Sequence, residues 1–251
     1  MTDPTAPFKR PDFLKIVEDA DALSRTALEE ISRCAQESVA ARGGFTFVLS
    51  GGNTPKAIYA RLAREKKDSL QWDKVFIFFG DERHVPPDHP DSNYRMAKES
   101  LLSQVPIPSG NVHRIPAELE AQLAAGNYEQ EIRSFFGTAQ GTFPAFDLVL
   151  LGMGDDGHTA SLFPGTAALG IRDRLVVAND VPKLNAQRIT LTYPVLNNAA
   201  QVMVMLSGPG KAEILAQVLR SRDSSKFPVL GVRPEPGELL WLADEAAARL
   251  L

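Results

Sequence analysis

The chain has 251 residues, 44% of them hydrophobic, which suits one large α/β domain or two small ones with a sizeable core and excludes a disordered tail. Its 27 lysines and arginines are mixed with 31 acidic residues, a formal net charge of −4, so no polybasic tract is offered to a nucleic-acid backbone. No apolar stretch approaches the ~18–20 residues that span a bilayer, MTDPTAPFKRPDF lacks a signal-peptide core, and a single cysteine, Cys34, excludes a disulfide framework, so a reducing cytoplasm is the expected address.

Residues 1–14 read as an N-terminal extension. Residues 16–41 then set apolar side chains at helical spacing among charges, and Gly43-Gly44 ends that pattern. Cys34 falls within it as a small core residue. FTFVLS (45–50), KVFIFFGD (74–81), FDLVLLGMG (146–154), RLVVAND (174–180), QRITLTY (187–193) and QVMVMLSG (201–208) are short apolar or alternating runs, several of them wholly apolar like strands covered on both faces. Helical patterns separate several of these runs: PKAIYARLAREKK, SNYRMAKESLL, ELEAQLAAGNYEQEIRSFFG and GKAEILAQVLRS. Strands alternating with helices predict a single Rossmann-like α/β domain over 1–251, a mostly parallel twisted sheet with helices on both faces.

Ligands of open α/β sheets bind beyond the carboxyl ends of the strands, which directs attention to three loops. In LSGGNTPKAIYARLA (49–63), Ser50-Gly51-Gly52-Asn53 leads into a helix that Thr54 can cap and Pro55 can open. Its glycines let backbone N–H groups approach an anion, and the helix N-terminus adds partial positive charge. Either a phosphate binds there or the stretch is a plain strand-to-helix turn; it lacks the spacing of an ATP-binding P-loop. In GDERHVPPDHPDSNYRMAKESLL (80–102), Asp81, Glu82 and Arg83 emerge at a strand end, and Arg83 can clamp a phosphate or carboxylate through two parallel hydrogen bonds. His84 and His89, with Asp88 and Asp91, are metal-ligand types, but polar residues in a proline-rich loop are ordinarily solvated, and no metal is expected.

LGMGDDGHTASLFPG (151–165) spells G-x-G-x-x-G with Gly152, Gly154 and Gly157, and Asp180 stands roughly 20 residues on, where a ribose-binding carboxylate would be sought. Pro164-Gly165, however, would break the helix of a dinucleotide site within about two turns. The stretch reads instead as a glycine-rich turn whose backbone donors surround a substrate, with Asp156 and His158 projecting as catalytic groups.

Taken in order, SGGNTP, DERHVPPDHPDSNYRMAKESLL, GMGDDGHTASLFPG, KLNAQRITLTYPVLNNA and the closing ELLWLADEAAARLL resemble the 6-phosphogluconolactonase family, from about residue 15 onward. That family shares a superfamily with the glucosamine-6-phosphate deaminases. The resemblance implies a sugar-phosphate site made by Ser50, Gly51, Gly52, Asn53 and Thr54, with Asp81, Arg83 and Gly154 beside it. It makes His158 the general base, leaves Asp156 either to orient it or to line the sugar, and makes Lys183 and Arg188 the basic residues around the RITLT strand. Asn53 stands where the family often has serine, and VPKLNAQRIT lacks the proline often found after the lysine.

The implied substrate is 6-phospho-D-glucono-1,5-lactone, hydrolysed to 6-phosphogluconate in the oxidative pentose phosphate pathway. A lactone is an activated ester, so a base that deprotonates water suffices, neutral imidazole serves near pH 7, and no cofactor is required. The partner expected is this small-molecule lactone alone, with neither nucleic acid nor membrane, on a monomer or homodimer. A deaminase is the nearest rival. Deaminases carry a carboxylate five residues after the histidine of DGH, where this chain has Phe163, and a D-E-Y where it has DER. A sugar-phosphate-sensing domain would keep the SGGNTP loop without needing His158, but no basic helix-turn-helix accompanies it.

Overall fold

Short, wholly apolar runs become the interior of a six-stranded parallel sheet in the computed structural model of the chain, which describes residues 11–251. The strands are β1 (Leu14–Val17), β2 (Phe45–Leu49), β3 (Val75–Phe79), β5 (Leu148–Leu151), β8 (Gln201–Leu206) and β9 (Glu238–Asp244), in the order β1-β9-β8-β5-β2-β3. Every residue of β2, β5 and β8 is buried, as expected of parallel strands covered on both faces. The covering helices include α1 (Ala20–Arg42), α2 (Asn53–Lys66), α4 (Ala121–Phe136) and α6 (Ala212–Arg220); the shorter α3 (Asn93–Ala97), α5 (Tyr193–Asn197) and α7 (Glu245–Ala248) complete the set. The mostly parallel sheet in a single α/β domain is therefore the architecture that the alternating pattern predicts.

Several details depart from the sequence reading, among them the closing ELLWLAD run, which that reading does not count among the strands and which forms β9. The helix expected from residue 16 starts at Ala20, where the Asp19 side chain accepts the Ala22 N–H, and Leu14–Val17 form an edge strand beside β9 instead. Residues 1–10 of the expected N-terminal extension lie outside the described residues, and Leu14 already belongs to the sheet. KVFIFFGD is also not one strand: it divides at Gly80 into β3 and β4 (Asp81–Arg83).

β4 pairs with β7 (Ala186–Leu191), and β7 with β6 (Val176–Val181), in a separate antiparallel sheet of order β4-β7-β6. The reason is connection length: Val181 and Ala186 are joined by residues 182–185 alone, and a parallel crossover needs a dozen or more. Only a hairpin fits. The small sheet is tied down by α4, whose Glu129 carboxylate accepts from the backbone N–H groups of Leu175 and Val176.

In the large sheet the chain runs from β2 outward to β3, then returns to the opposite side of β2 as β5. Connections therefore diverge between β2 and β5, and the loops leaving those strands, at Ser50 and Gly152, lie side by side. Such a reversal of strand order opens a crevice at the carboxyl ends.

Candidate active site

A cleft of about 190 Å³ occupies that crevice, lined by the Ser50–Gly52 turn, Asp81, Arg83, Asn93, and the turn from Gly152 to His158. The SGGN turn runs straight into α2: Gly52 has φ 109°, a left-handed value that glycine tolerates, and Asn53 opens the helix. Thr54, expected as the cap, lies inside the first turn and does not line the cleft; Gly52 holds the cap position without a side-chain bond. A methyl group on Gly51 would fall 2.0 Å from Asn93 Oδ1, so this glycine is required by close approach. The Ser50 hydroxyl is buried at the cleft wall and has no hydrogen-bond partner among the described residues.

The DER triplet divides its labour. Glu82 points inward, and its carboxylate accepts from the backbone N–H groups of Asn93 and Tyr94 and from the Ser92 hydroxyl, fixing the start of α3. Burial pushes the Glu82 pKa up, against the lowering effect of those bonds. Asp81 is only 7% exposed; it accepts from Ser161 Oγ at 2.6 Å and from Asn93 Nδ2 at 3.3 Å. Asp81 thus faces the cleft with its carboxylate already engaged. Asn93, 2% exposed, and Ser161 are site residues that the sequence reading missed; both bind Asp81, a partner distant in the chain and invisible to spacing.

Arg83 lies directly opposite Arg188 in the β4–β7 register. Among the described residues their guanidinium groups bond only to backbone carbonyls, Arg83 to Asp91 O at 2.7 Å and Arg188 to Gln187 O at 3.0 Å. Burial and the neighbouring Arg83 charge lower the Arg188 pKa. Like charges opposed across strands are destabilising, so the pair is a standing demand for an anion. Arg83 also borders two adjoining recesses, of about 360 Å³ beside Asn53 and Lys56 and about 890 Å³ beside Arg188, joining them to the cleft.

No helix follows Gly157. The chain turns there with φ 77°, and residues 155–165 stay irregular, which removes the dinucleotide reading. Asp180, its ribose-binding candidate, accepts from Gln187 Nε2 at 2.9 Å on the hairpin. The turn folds back so that Gly154 N–H donates to His158 O, and the imidazole lies on Gly154, where a Cβ would fall 2.0 Å from its Cε1. The other ring face stacks on Phe163, with centroids 4.0 Å apart and planes at 25°.

His158 Nδ1 lies 2.6 Å from Asp156 Oδ1, and Lys183 Nζ donates to Asp156 Oδ2 at 2.8 Å. Lys183, expected at the substrate, is absent from the cleft wall and instead holds the far oxygen of Asp156. Burial raises the Asp156 pKa, but the bonds from Lys183 and His158 outweigh it and hold the value down to about 2, so the group is a carboxylate at neutral pH. A carboxylate only accepts, so neutral His158 carries its proton on Nδ1 and leaves the Nε2 lone pair free. Among the described residues Nε2 has no protein hydrogen-bond partner, and the ring borders the cleft.

His84 and His89 do not converge on a metal: His84 Nε2 is bonded to Leu119 O, and among the described residues no group of three or more metal-ligating side chains gathers.

A family model described as glucosamine-6-phosphate isomerases/6-phosphogluconolactonase matches residues 18–241. The chain is 45% identical over 236 residues to a 6-phosphogluconolactonase of Nostoc sp., covering 93% of this chain and 96% of that one. It is 44% identical over 231 residues to the 6-phosphogluconolactonase of Synechocystis sp., covering 91% and 94%. Among solved structures, that of 6-phosphogluconolactonase from Trypanosoma cruzi superposes with a TM-score of 0.85 at 29% identity, covering 99% of each chain.

Proposed function

Since the chain belongs to the glucosamine-6-phosphate isomerase/6-phosphogluconolactonase family, we propose that His158 is the general base of its lactonase chemistry, oriented by Asp156. The activity is hydrolysis of 6-phospho-D-glucono-1,5-lactone to 6-phospho-D-gluconate, a step of the oxidative pentose phosphate pathway. The observation that carries the catalytic assignment is the Lys183–Asp156–His158 chain of hydrogen bonds, which ends at an uncommitted Nε2 on the cleft that Arg83 also lines.

In this reading the substrate phosphate is held by the Ser50-Gly51-Gly52-Asn53 turn and the N-terminus of α2, Thr54 included, with Arg83 and Arg188 supplying positive charge. Asp81 braces the cleft wall through Ser161 and Asn93, and Gly154 leaves room for the imidazole. His158 Nε2 takes a proton as water oxygen bonds to the lactone carbonyl carbon. The electron pair displaced onto the carbonyl oxygen is stabilised by N–H groups of the 152–157 turn. Its return breaks the bond from that carbon to the ring oxygen, which takes the proton from His158. One histidine serves both transfers, Asp156 stabilises the transient imidazolium, and no cofactor is consumed.

Replacing His158 by Gln tests this reading. It should lower kcat by ~10²–10⁴, the usual share of general acid–base catalysis, while 6-phosphogluconate still binds. The assay couples product formation to 6-phosphogluconate oxidation and subtracts spontaneous hydrolysis. A raised KM with normal kcat would mean that the turn is only a binding cradle.

The same reading describes a cytoplasmic enzyme, monomeric or homodimeric, without nucleic-acid or membrane partners. The interspersed charge supports it, as does the lack, among the described residues, of a helix long and apolar enough to cross a membrane.

A further inference from the structure

Most arginines among the described residues face a carboxylate within 4.0 Å. The exceptions are Arg220 at the end of α6, Arg249 near the end of the chain, Arg83 at the substrate cleft with Arg188 in the recess beside it, and a third group, Arg172, Arg222 and Arg233. These last three line one recess of about 470 Å³ together with Tyr193 and Ser224, and among the described residues no carboxylate lines it. Asp173, Asp223 and Glu235 adjoin them in sequence, but none lies within salt-bridge distance of any of the three. The Asp223 carboxylate is spent on the Ser225 hydroxyl and on the backbone N–H groups of Ser225 and Lys226.

Two of the guanidinium groups are held in place. Arg172 donates through Nη1 to Leu169 O and Ile171 O and lies over the Tyr193 ring, 5.9 Å from its centroid; Arg233 donates through Nε to Leu230 O. Each retains uncommitted N–H donors. Three arginines gathered without counter-charge, on a chain whose net charge is −4, repel one another unless an anion joins them. A guanidinium fixed through one nitrogen has already lost much of the freedom it would lose on binding, and its planar fork matches phosphate oxygens. The volume is that of a small-molecule site and exceeds the needs of a free ion.

We propose that this recess is a second anion site, which takes a small phosphorylated metabolite through Arg172, Arg222 and Arg233. It shares no lining residue with the cleft around His158, yet the two are close in the fold: Val229 N–H donates to Gly157 O at 2.9 Å, and Phe227 packs against Gly157. The inference does not depend on the lactonase reading.

Inorganic phosphate titrated by calorimetry into the Arg83→Ala variant tests it, because that substitution weakens the cleft by roughly tenfold and leaves the recess intact, so that the response to the recess substitutions reads the second site. Phosphate should still bind. Adding Arg172→Gln, Arg222→Gln and Arg233→Gln should then weaken binding by about tenfold or more, the equivalent of losing one charge-assisted hydrogen bond. All three side chains are exposed, so the fold should persist, and the triple variant with Arg83 intact should hydrolyse lactone at the parent rate. Loss of all phosphate binding in Arg83→Ala alone, or unchanged binding after the triple substitution, would overturn the proposal.

Discussion

Replacing Gly154 by alanine adds one methyl group at the point where the catalytic turn and the imidazole meet. Built on the observed backbone, that Cβ lies 2.0 Å from His158 Cε1 and 2.1 Å from Nδ1, whereas ordinary van der Waals contact begins at 3.4 Å. The ring must therefore retreat by more than 1 Å, and Phe163 blocks its other face with centroids 4.0 Å away. A displacement of about 1 Å in a catalytic group costs on the order of 10² in rate. Gly154→Ala should thus lower kcat by roughly a hundredfold or more, with little change in KM, because the methyl group meets the base and not the arginines. Gly170→Ala, outside the cleft, is the internal control: its Cβ would meet nothing within 4 Å, and its kcat should stay near the parent value. Both constants are read from the coupled lactone assay, with 6-phosphogluconate affinity as the check that the cleft is intact. A Gly154→Ala enzyme with near-parental kcat would refute the claim that imidazole placement on this turn limits the reaction.

Arg83→Ala should raise KM for the phosphorylated lactone by roughly tenfold or more, and Arg83→Lys by less, since lysine keeps the charge but not the paired donors; equal values for the two variants would remove Arg83 from phosphate recognition. Asp156→Asn should destabilise the fold at pH 7 by ~1 kcal/mol, because the folded pKa of about 2 lies below the ordinary 3.8 while solvent around the exposed Lys183 partner screens part of the interaction. A carboxyl depressed in the folded state stabilises above its unfolded pKa and loses that contribution as pH falls, so the gap between parent and variant in urea unfolding should close as pH falls from 4 towards 2. A gap independent of pH would mean that the Asp156 charge contributes nothing. Phe163→Ala should lower kcat more than it raises KM, by releasing one face of the imidazole, and it should not create ammonia release from glucosamine-6-phosphate, since no carboxylate is introduced.

Much of this protein was legible locally. Apolar runs such as FTFVL and QVMVML announce buried parallel strands, because a strand covered on both faces must be apolar at every position. Pro164-Gly165 announces that no helix follows the GMGDDGH turn, because proline removes a donor and clashes within a helix. Fold class and the loops that carry chemistry follow from such local preferences, and the motif order pointed to the family.

Other features were decided by contacts between distant segments. Whether Lys183 touches substrate or Asp156, and whether Asp81 meets a ligand or Ser161, depends on where the 182–185 hairpin and the 155–165 turn come to rest beside β4. The strand run through Gly80 carries no local mark of its division between two sheets; β4 leaves because β7, more than a hundred residues later, supplies its hydrogen bonds. The opposition of Arg83 and Arg188 has the same origin. Sequence by itself determined which residue types were present and which elements they favour, since propensity and burial pattern act over a few residues. Only the tertiary structure decided which polar groups satisfy one another and which stay open to a ligand, because a buried donor or acceptor takes its partner from whatever the packed chain brings within hydrogen-bonding reach.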